Sequence, residues 1–259
     1  MNFTKELFGL NSKTAVVIGG GGVLAGSMAE GLAKAGANVV ILDLNIENAN
    51  KKAADISNYD VKTLALQIDA SQKQDFVYAE QEIVKNFERI DIVVNAPGIN
   101  SATPFLEITE DEWHKILDVN LKSIYLSSQV FGKRMIAQGN GGSIINISSA
   151  SSGPPLSKVF TYGISKAGIN NLTQFLAREW ASYKIRVNAI APGFFPAEQN
   201  RKLLTKERTK AIFNHTAMKR FGEPDELIGV TIWLASEKAS PFVTGAIIRV
   251  DGGFSAMTI

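Results

Sequence analysis

The chain has 259 residues, 45% hydrophobic and 20% charged, the proportions of an ordinary globular protein long enough for one generous α/β domain. A formal net charge of +2 without a basic stripe argues against nucleic acid as a partner, and the lack of cysteine excludes disulfides and thiolate metal sites. The two histidines, His114 and His215, have no ligand spacing around them and no run approaches the roughly 18 apolar residues of a membrane span, so no metal, no membrane partner and a cytoplasmic location are expected.

Strand-like apolar runs alternate with amphipathic stretches along the chain. A strand at Thr14–Ile18 precedes a helix at Leu24–Ala35, and a strand at Asn38–Leu42 precedes a helix at Ile46–Ile56. The pattern repeats with a strand at Thr63–Gln67 and a helix at Lys73–Phe87, then a strand at Ile90–Val94 and one long helix at Glu110–Met135. A strand at Ser143–Ile147 leads to a helix at Phe160–Ser182. Beyond a strand at Arg186–Ile190 come helices at Glu207–Phe213 and Pro224–Ala235, and a last strand at Ile247–Val250. The strands are Val/Ile-rich and do not alternate, as expected where helices cover both faces of a parallel sheet. The expectation is a single-domain Rossmann-type doubly wound sheet spanning residues 1–259, with ligands at the carboxyl ends of its strands.

Two local signals point to chemistry. The first strand runs into Gly19-Gly-Gly-Gly22-Val-Leu-Ala-Gly26, where glycines allow a pyrophosphate to approach backbone N–H groups at a helix start. Asp43, ending the second strand, is placed to accept from both hydroxyls of an adenosine ribose and to repel a 2′-phosphate, or else to cap the next helix. The second signal is Tyr162 and Lys166, spaced i,i+4 and so on one helical face. An ammonium beside the phenol is expected to lower the tyrosine pKa toward the range of a general acid/base.

With these residues the chain resembles the short-chain dehydrogenase/reductase superfamily, in its single-domain branch. The match runs in order through the glycine loop, Asp43, Asp69, Asn95-Ala-Pro-Gly98, Asn120 in Asp-Val-Asn-Leu-Lys, Ser149, Tyr162-x-x-x-Lys166, Pro192-Gly193 and Val250-Asp-Gly-Gly253. The resemblance implies hydride transfer between a nicotinamide and an alcohol or ketone carbon. Tyr162 would be the acid/base, and Ser149, thirteen residues earlier, would orient the oxygen. Lys166 would hold the nicotinamide ribose, and Asn120 a water for proton relay. Cofactor contacts are implied for Gly19, Gly22, Val23, Leu24, Asp43, Leu44, Asp69, Ala70, Asn95, Ala96, Tyr162, Lys166, Pro192 and Phe195, with NAD favoured over NADP. Asp69 reads equally as an adenine contact or as a cap for the following helix.

The chain departs from the family pattern in three places. Ile18, Val23 and Ala25 stand where the loop has Thr and its last two Gly, Ala96 replaces an Asn, and Ala197 replaces a Thr that meets the carboxamide. The Gly-Gly-Gly-Gly-Val-Leu loop, the Ala191–Arg201 segment and the Val250-Asp-Gly-Gly-Phe-Ser-Ala tail look like D-mannonate oxidoreductases and related sugar-acid dehydrogenases. A hexonate needs a cation for its carboxylate and amides for its hydroxyls. Asn100, Lys158, Gln199, Asn200 and Arg201 lie in loops expected over the site, the substrate loop spanning residues 194–222; of these, Asn100, Gln199 and Arg201, with Ser149 and Tyr162, are the candidate substrate contacts. A 3-oxoacyl carrier-protein reductase and a catalytically silent nucleotide sensor are the competing functions. The resemblance also implies a homotetramer built on the two long helices and the C-terminal strand.

Overall fold

The computed structural model describes residues 2–196 and 204–257. Seven strands form one sheet: β1 (Thr14–Ile18), β2 (Asn38–Asp43), β3 (Thr63–Gln67), β4 (Ile92–Asn95), β5 (Gly142–Ile147), β6 (Ile185–Pro192) and β7 (Ile247–Val250). Their order is β3-β2-β1-β4-β5-β6-β7 and all pairings are parallel. The chain winds outward from β1 to β3, then returns to β4 on the other side of β1. The crossovers on either side of β1 and β4 therefore diverge, opening a crevice at the carboxyl ends of those two strands.

Successive side chains on each strand go to opposite faces, and both faces are buried. Val17, Ile41, Val94, Ile145 and Ile190 pack beneath α2 (Val23–Lys34) and α3 (Ile46–Ser57). Val16, Val40, Val93, Ile144 and Val187 pack on the other side, where α4 (Lys73–Phe87) contributes Phe76 and Ile83. The helices α6 (Ser123–Gln138) and α7 (Phe160–Trp180) add Phe131, Met135 and Leu176 to that layer. Both faces thus call for apolar side chains along most of the central strands, which is why the runs do not alternate. The doubly wound sheet expected from the sequence is the one observed, and no helix among the described residues is long and apolar enough to cross a membrane.

Several boundaries differ for identifiable reasons. α1 (Phe3–Phe8) was not anticipated because it buries no residue; only Asn2, accepting from the Lys5 N–H, marks its start. β4 begins two residues late because the Gln138 side chain takes both backbone groups of Ile90. The expected helix over Glu110–Met135 is broken: α5 (Glu110–Leu117) passes through a π turn at Asp118–Lys122 before α6. Downstream, α8 spans Lys206–Asn214, and α9 (Ile228–Ala235) follows a 3₁₀ turn at Pro224–Leu227 with a Glu223/Glu226 capping box.

Candidate active site

The glycine loop crosses the crevice at close quarters. Gly19 has φ +75°, a left-handed conformation that favours glycine, and a Cβ there would lie 3.1 Å from the Ala96 carbonyl oxygen. The Gly19 N–H donates to the Leu42 carbonyl at 2.7 Å, and Gly22 N–H closes the turn on the Gly19 carbonyl at 3.0 Å. Because Gly22 caps α2 without a side chain, no side-chain acceptor covers the N–H groups of the first turn. Val23, one of the unusual loop residues, turns its side chain outward, 55% exposed, and with Leu24 walls the cleft. Ala25 is buried, and Gly26 provides the close packing, since a Cβ on it would meet the Gly20 carbonyl at 3.2 Å.

Asp43 braces this loop: its Oδ2 accepts from the Gly21 N–H at 3.0 Å and its Oδ1 from Asn45 N–H at 2.9 Å. The cap of α3 is Asn45, so the capping role considered for Asp43 falls to its neighbour. Leu44 beside it is exposed. Across the β2–β3 pair, Asp69 accepts from the N–H and hydroxyl of Ser71, while its own N–H donates to Asp75. It forms the turn before α4 and does not cap it, that position being Gln72; Ala70 packs on the core.

The second cluster lies where β5 and α7 meet. Ser149 follows the end of β5, and its Oγ accepts from the N–H of Ser151 at 3.2 Å and from the Ser151 hydroxyl at 2.9 Å. With both lone pairs engaged, the Ser149 proton is left to donate toward the neighbouring Tyr162 phenol, whose pKa it lowers. Tyr162 sits in the first turn of α7, and Lys166 one turn on, 3% exposed, donates from Nζ to the Ile147 carbonyl at 2.8 Å. That ammonium stands 5.4 Å from the centre of the Tyr162 ring.

Asn120 is fully buried in the π turn. Its Oδ1 accepts from Ile99 N–H at 2.8 Å, and its Nδ2 donates to the Ile99 carbonyl and to Ser165 Oγ. Gly98 lies between these groups: a Cβ there would be 3.6 Å from Lys166 Nζ and 3.8 Å from Asn120 Oδ1. Asn95, grouped with the cofactor contacts on sequence, turns instead into the core. It bonds Asn146 and Ser127, and Asn146 in turn bonds Thr173, a buried brace tying β4 and β5 to α6 and α7. Pro192 is likewise buried at the end of β6; Gly193, Phe194 and Phe195 are the residues that reach the cleft. Exposed Asn100 lines the same cleft, whereas Ala197, Gln199, Asn200 and Arg201 fall outside the described residues.

Electrostatics correct one expectation. Burial pushes the Tyr162 phenol above its ordinary value, and the Ser149 hydrogen bond is the only influence lowering it. Lys166 does not depress it, because burial penalises the ammonium too and pulls Lys166 down to about 8. Spacing put the two groups side by side, but desolvation decides their titration. The sequence also gave no sign of the backbone partners Ile147 and Ile99, which leave no side-chain signature, or of Ser151, one hydroxyl in a serine-rich loop.

The cleft between the clusters has a volume of about 670 Å³, and no Asp, Glu, Lys or Arg lines it among the described residues. The bare backbone at Gly19 and Gly98, the open first turn of α2, the Asp43 carboxylate and the buried ammonium suit a dinucleotide laid along the strand ends.

A family model described as enoyl-(acyl carrier protein) reductase matches residues 22–255. The chain is 37% identical to the 2-dehydro-3-deoxy-D-gluconate 5-dehydrogenase of Escherichia coli, over 96% of this chain and 98% of the other. A solved structure from Haemophilus influenzae, assigned as a D-mannonate oxidoreductase with bound NAD, superposes with a TM-score of 0.93 at 35% identity, covering 99% of both chains. The gluconate 5-dehydrogenase of Burkholderia cenocepacia, in complex with NADP and tartrate, gives 0.93 at 33% identity, covering 98% of this chain and 100% of that one.

The buried ammonium has a measurable consequence for stability. Lys166 binds its proton more weakly folded, with a pKa of about 8, than unfolded, near 10.5. The cost of burying the charge is therefore fully present below pH 8 and is relieved as pH rises to 10.5. Urea denaturation should show wild-type stability rising over that window, on the order of 2 kcal/mol, relative to a flat difference for Lys166→Met without the titrating group.

Proposed function

The chain belongs to the short-chain dehydrogenase/reductase family, and on that premise we propose that it interconverts a secondary alcohol and a ketone on a sugar acid, using NAD. The observation that carries the chemistry is the pairing of Ser149 and Tyr162 on the wall of a cleft beside the glycine loop, with the Lys166 ammonium buried next to the Tyr162 ring. A nicotinamide dinucleotide, when bound, would supply the carbon that exchanges hydride with the substrate. The protein's part is proton transfer and charge placement. Tyr162 gives a proton to the ketone oxygen or takes it from the alcohol, while the Ser149 hydroxyl donates to the same oxygen as charge develops. Burial favours the neutral phenol, so the resting site is poised to give a proton; in oxidation the phenol must first lose it. Lys166, with Asn120 and the Ile99 backbone behind it, provides the cationic floor through which that proton is replaced.

Asp43 supports the choice of NAD, since a 2′-phosphate would meet its carboxylate. Lys52, whose stem passes Gly26, has its ammonium drawn to Glu30 at 3.9 Å instead. The sugar-acid reading rests on the named relatives from Escherichia coli, Haemophilus influenzae and Burkholderia cenocepacia. A homotetramer is part of the same proposal: α7 leaves Phe160, Ile164 and Phe175 exposed, and α6 leaves Tyr125.

Three measurements test these points. Against a panel of aldonates, uronates and polyols, turnover should be found with NAD in preference to NADP, and Tyr162→Phe should lose about 10²–10⁴-fold in kcat while still binding NADH by calorimetry. NADH binding without turnover on any substrate would favour a silent sensor instead. Ser151→Ala frees a lone pair of Ser149 and weakens its donation to Tyr162. The rise of alcohol oxidation with pH should then move to higher pH, and Ser151→Thr should restore it. Light scattering at micromolar concentration should give four times the chain mass; a monomer would overturn the assembly.

A further inference from the structure

The cleft above Tyr162 offers a sugar acid amide and hydroxyl partners but no cation among the described residues. A second cavity of about 380 Å³ opens next to it and shares two of its walls, Leu156 and Phe194. Its lining holds Arg208 and His215, both borne on α8 or its C-cap, together with Ser157 and Ser255, and no Asp or Glu among the described residues. Phe254 forms an apolar side of this bowl, meeting His215 and Phe194 edge-to-face with ring centres 4.7 Å and 5.2 Å away.

Arg208, like Arg186 on Ser240, is held by a serine hydroxyl and by no carboxylate among the described residues, but unlike Arg186 it borders a cavity beside the cleft. It is half-buried, and among the described residues the one acceptor for its guanidinium is the Ser157 hydroxyl, 2.9 Å from Nη1. Arg89, Arg134 and Arg220 each pair with a carboxylate. A guanidinium held at one nitrogen on the wall of a cavity that has no carboxylate among its described lining has the charge and spare donors for a bidentate carboxylate. Lys158 is the rival. It borders a different cavity, walled by Pro104, Phe105, Val159 and Phe160, whose apolar lining suits a carboxylate poorly.

We propose that Arg208, held by Ser157, is the carboxylate-recognising end of the substrate site, so that the acid's carbon chain crosses the Leu156–Phe194 edge with its reacting carbon at Tyr162. The proposal rests on the sugar-acid reading and sharpens it: the enzyme selects acids over the corresponding polyols through one cation outside the catalytic cleft.

The test compares D-gluconate with its neutral counterpart D-glucitol, using the NAD-loaded enzyme. Arg208→Met should raise KM for gluconate about 10- to 100-fold, the worth of a hydrogen bond to a charged group. Its kcat at saturation, its KM for NAD and its turnover of glucitol should stay within about threefold of wild type, and Arg208→Lys should recover part of the loss. In the Tyr162→Phe background, calorimetry should show gluconate binding that Arg208→Met abolishes. Equal losses on gluconate and glucitol, an unchanged KM for gluconate, or the same selective loss in Lys158→Met would each overturn the assignment. Turnover of glucitol with no gluconate binding would overturn the anion subsite and leave the oxidoreductase reading standing. Gluconate binding that depends on Arg208, without turnover of any substrate, would uphold the subsite and remove the oxidoreductase reading.

Discussion

A parallel sheet is stable only when helices bury both of its faces, and almost everything else in this protein follows from that constraint. Covering both faces forces right-handed crossovers, first to one side of β1 and then to the other, so the winding must reverse once. At the reversal the loops after β1 and β4 part, and the backbone of Gly19 comes against Ala96 because no helix fills the gap. The parallel arrangement also puts all the strand carboxyl ends on one side. Gly98, Ser149 and Gly193 follow β4, β5 and β6 and border one crevice for that reason, while Asp43 at the end of β2 braces the glycine loop.

Within the crevice, desolvation is the dominant electrostatic influence. The two key ionisable groups, Tyr162 and Lys166, are both shifted toward their neutral forms. Ser149 alone opposes the shift of Tyr162, while the Ile147 carbonyl at the end of β5 fixes where the Lys166 ammonium sits. Ser149 is itself pinned by Ser151, and Asn120 by both backbone groups of Ile99. The π turn makes the last arrangement possible. One extra residue in the turn between α5 and α6 rotates Asn120 toward the loop after β4, which an unbroken helix would not do.

What the sequence made legible follows from which forces leave a mark on residue type. β1, β3, α4 and β7 come out with their observed limits because each carries an apolar run or an apolar face that sets it apart from its flanking turns. The π turn is silent because Val119, Leu121 and Ile124 continue the helical pattern straight through it. α1 is silent because it buries nothing. At the site, spacing along α7 placed Tyr162 beside Lys166, yet spacing carries no information about dielectric, and so the direction of the tyrosine shift was misjudged. Asn95 was misleading for a related reason: it ends the strand beside the glycine loop, but its side chain serves the core.

The separation between proton chemistry and charge recognition has its own physical logic. A carboxylate bound inside the cleft would add a negative charge beside a phenol that burial already keeps protonated, pushing it further up and slowing oxidation. A compensating cation inside the cleft would compete with Lys166, which is already near the limit at which burial strips its proton at neutral pH. Moving the cation one cavity away, to Arg208 behind the Leu156–Phe194 edge, neutralises the substrate's charge where it falls and leaves the titration of Tyr162 to Ser149 and Lys166. An arginine is the suitable cation there, because its planar fork can hold the Ser157 hydroxyl with one nitrogen and still offer a carboxylate two parallel donors.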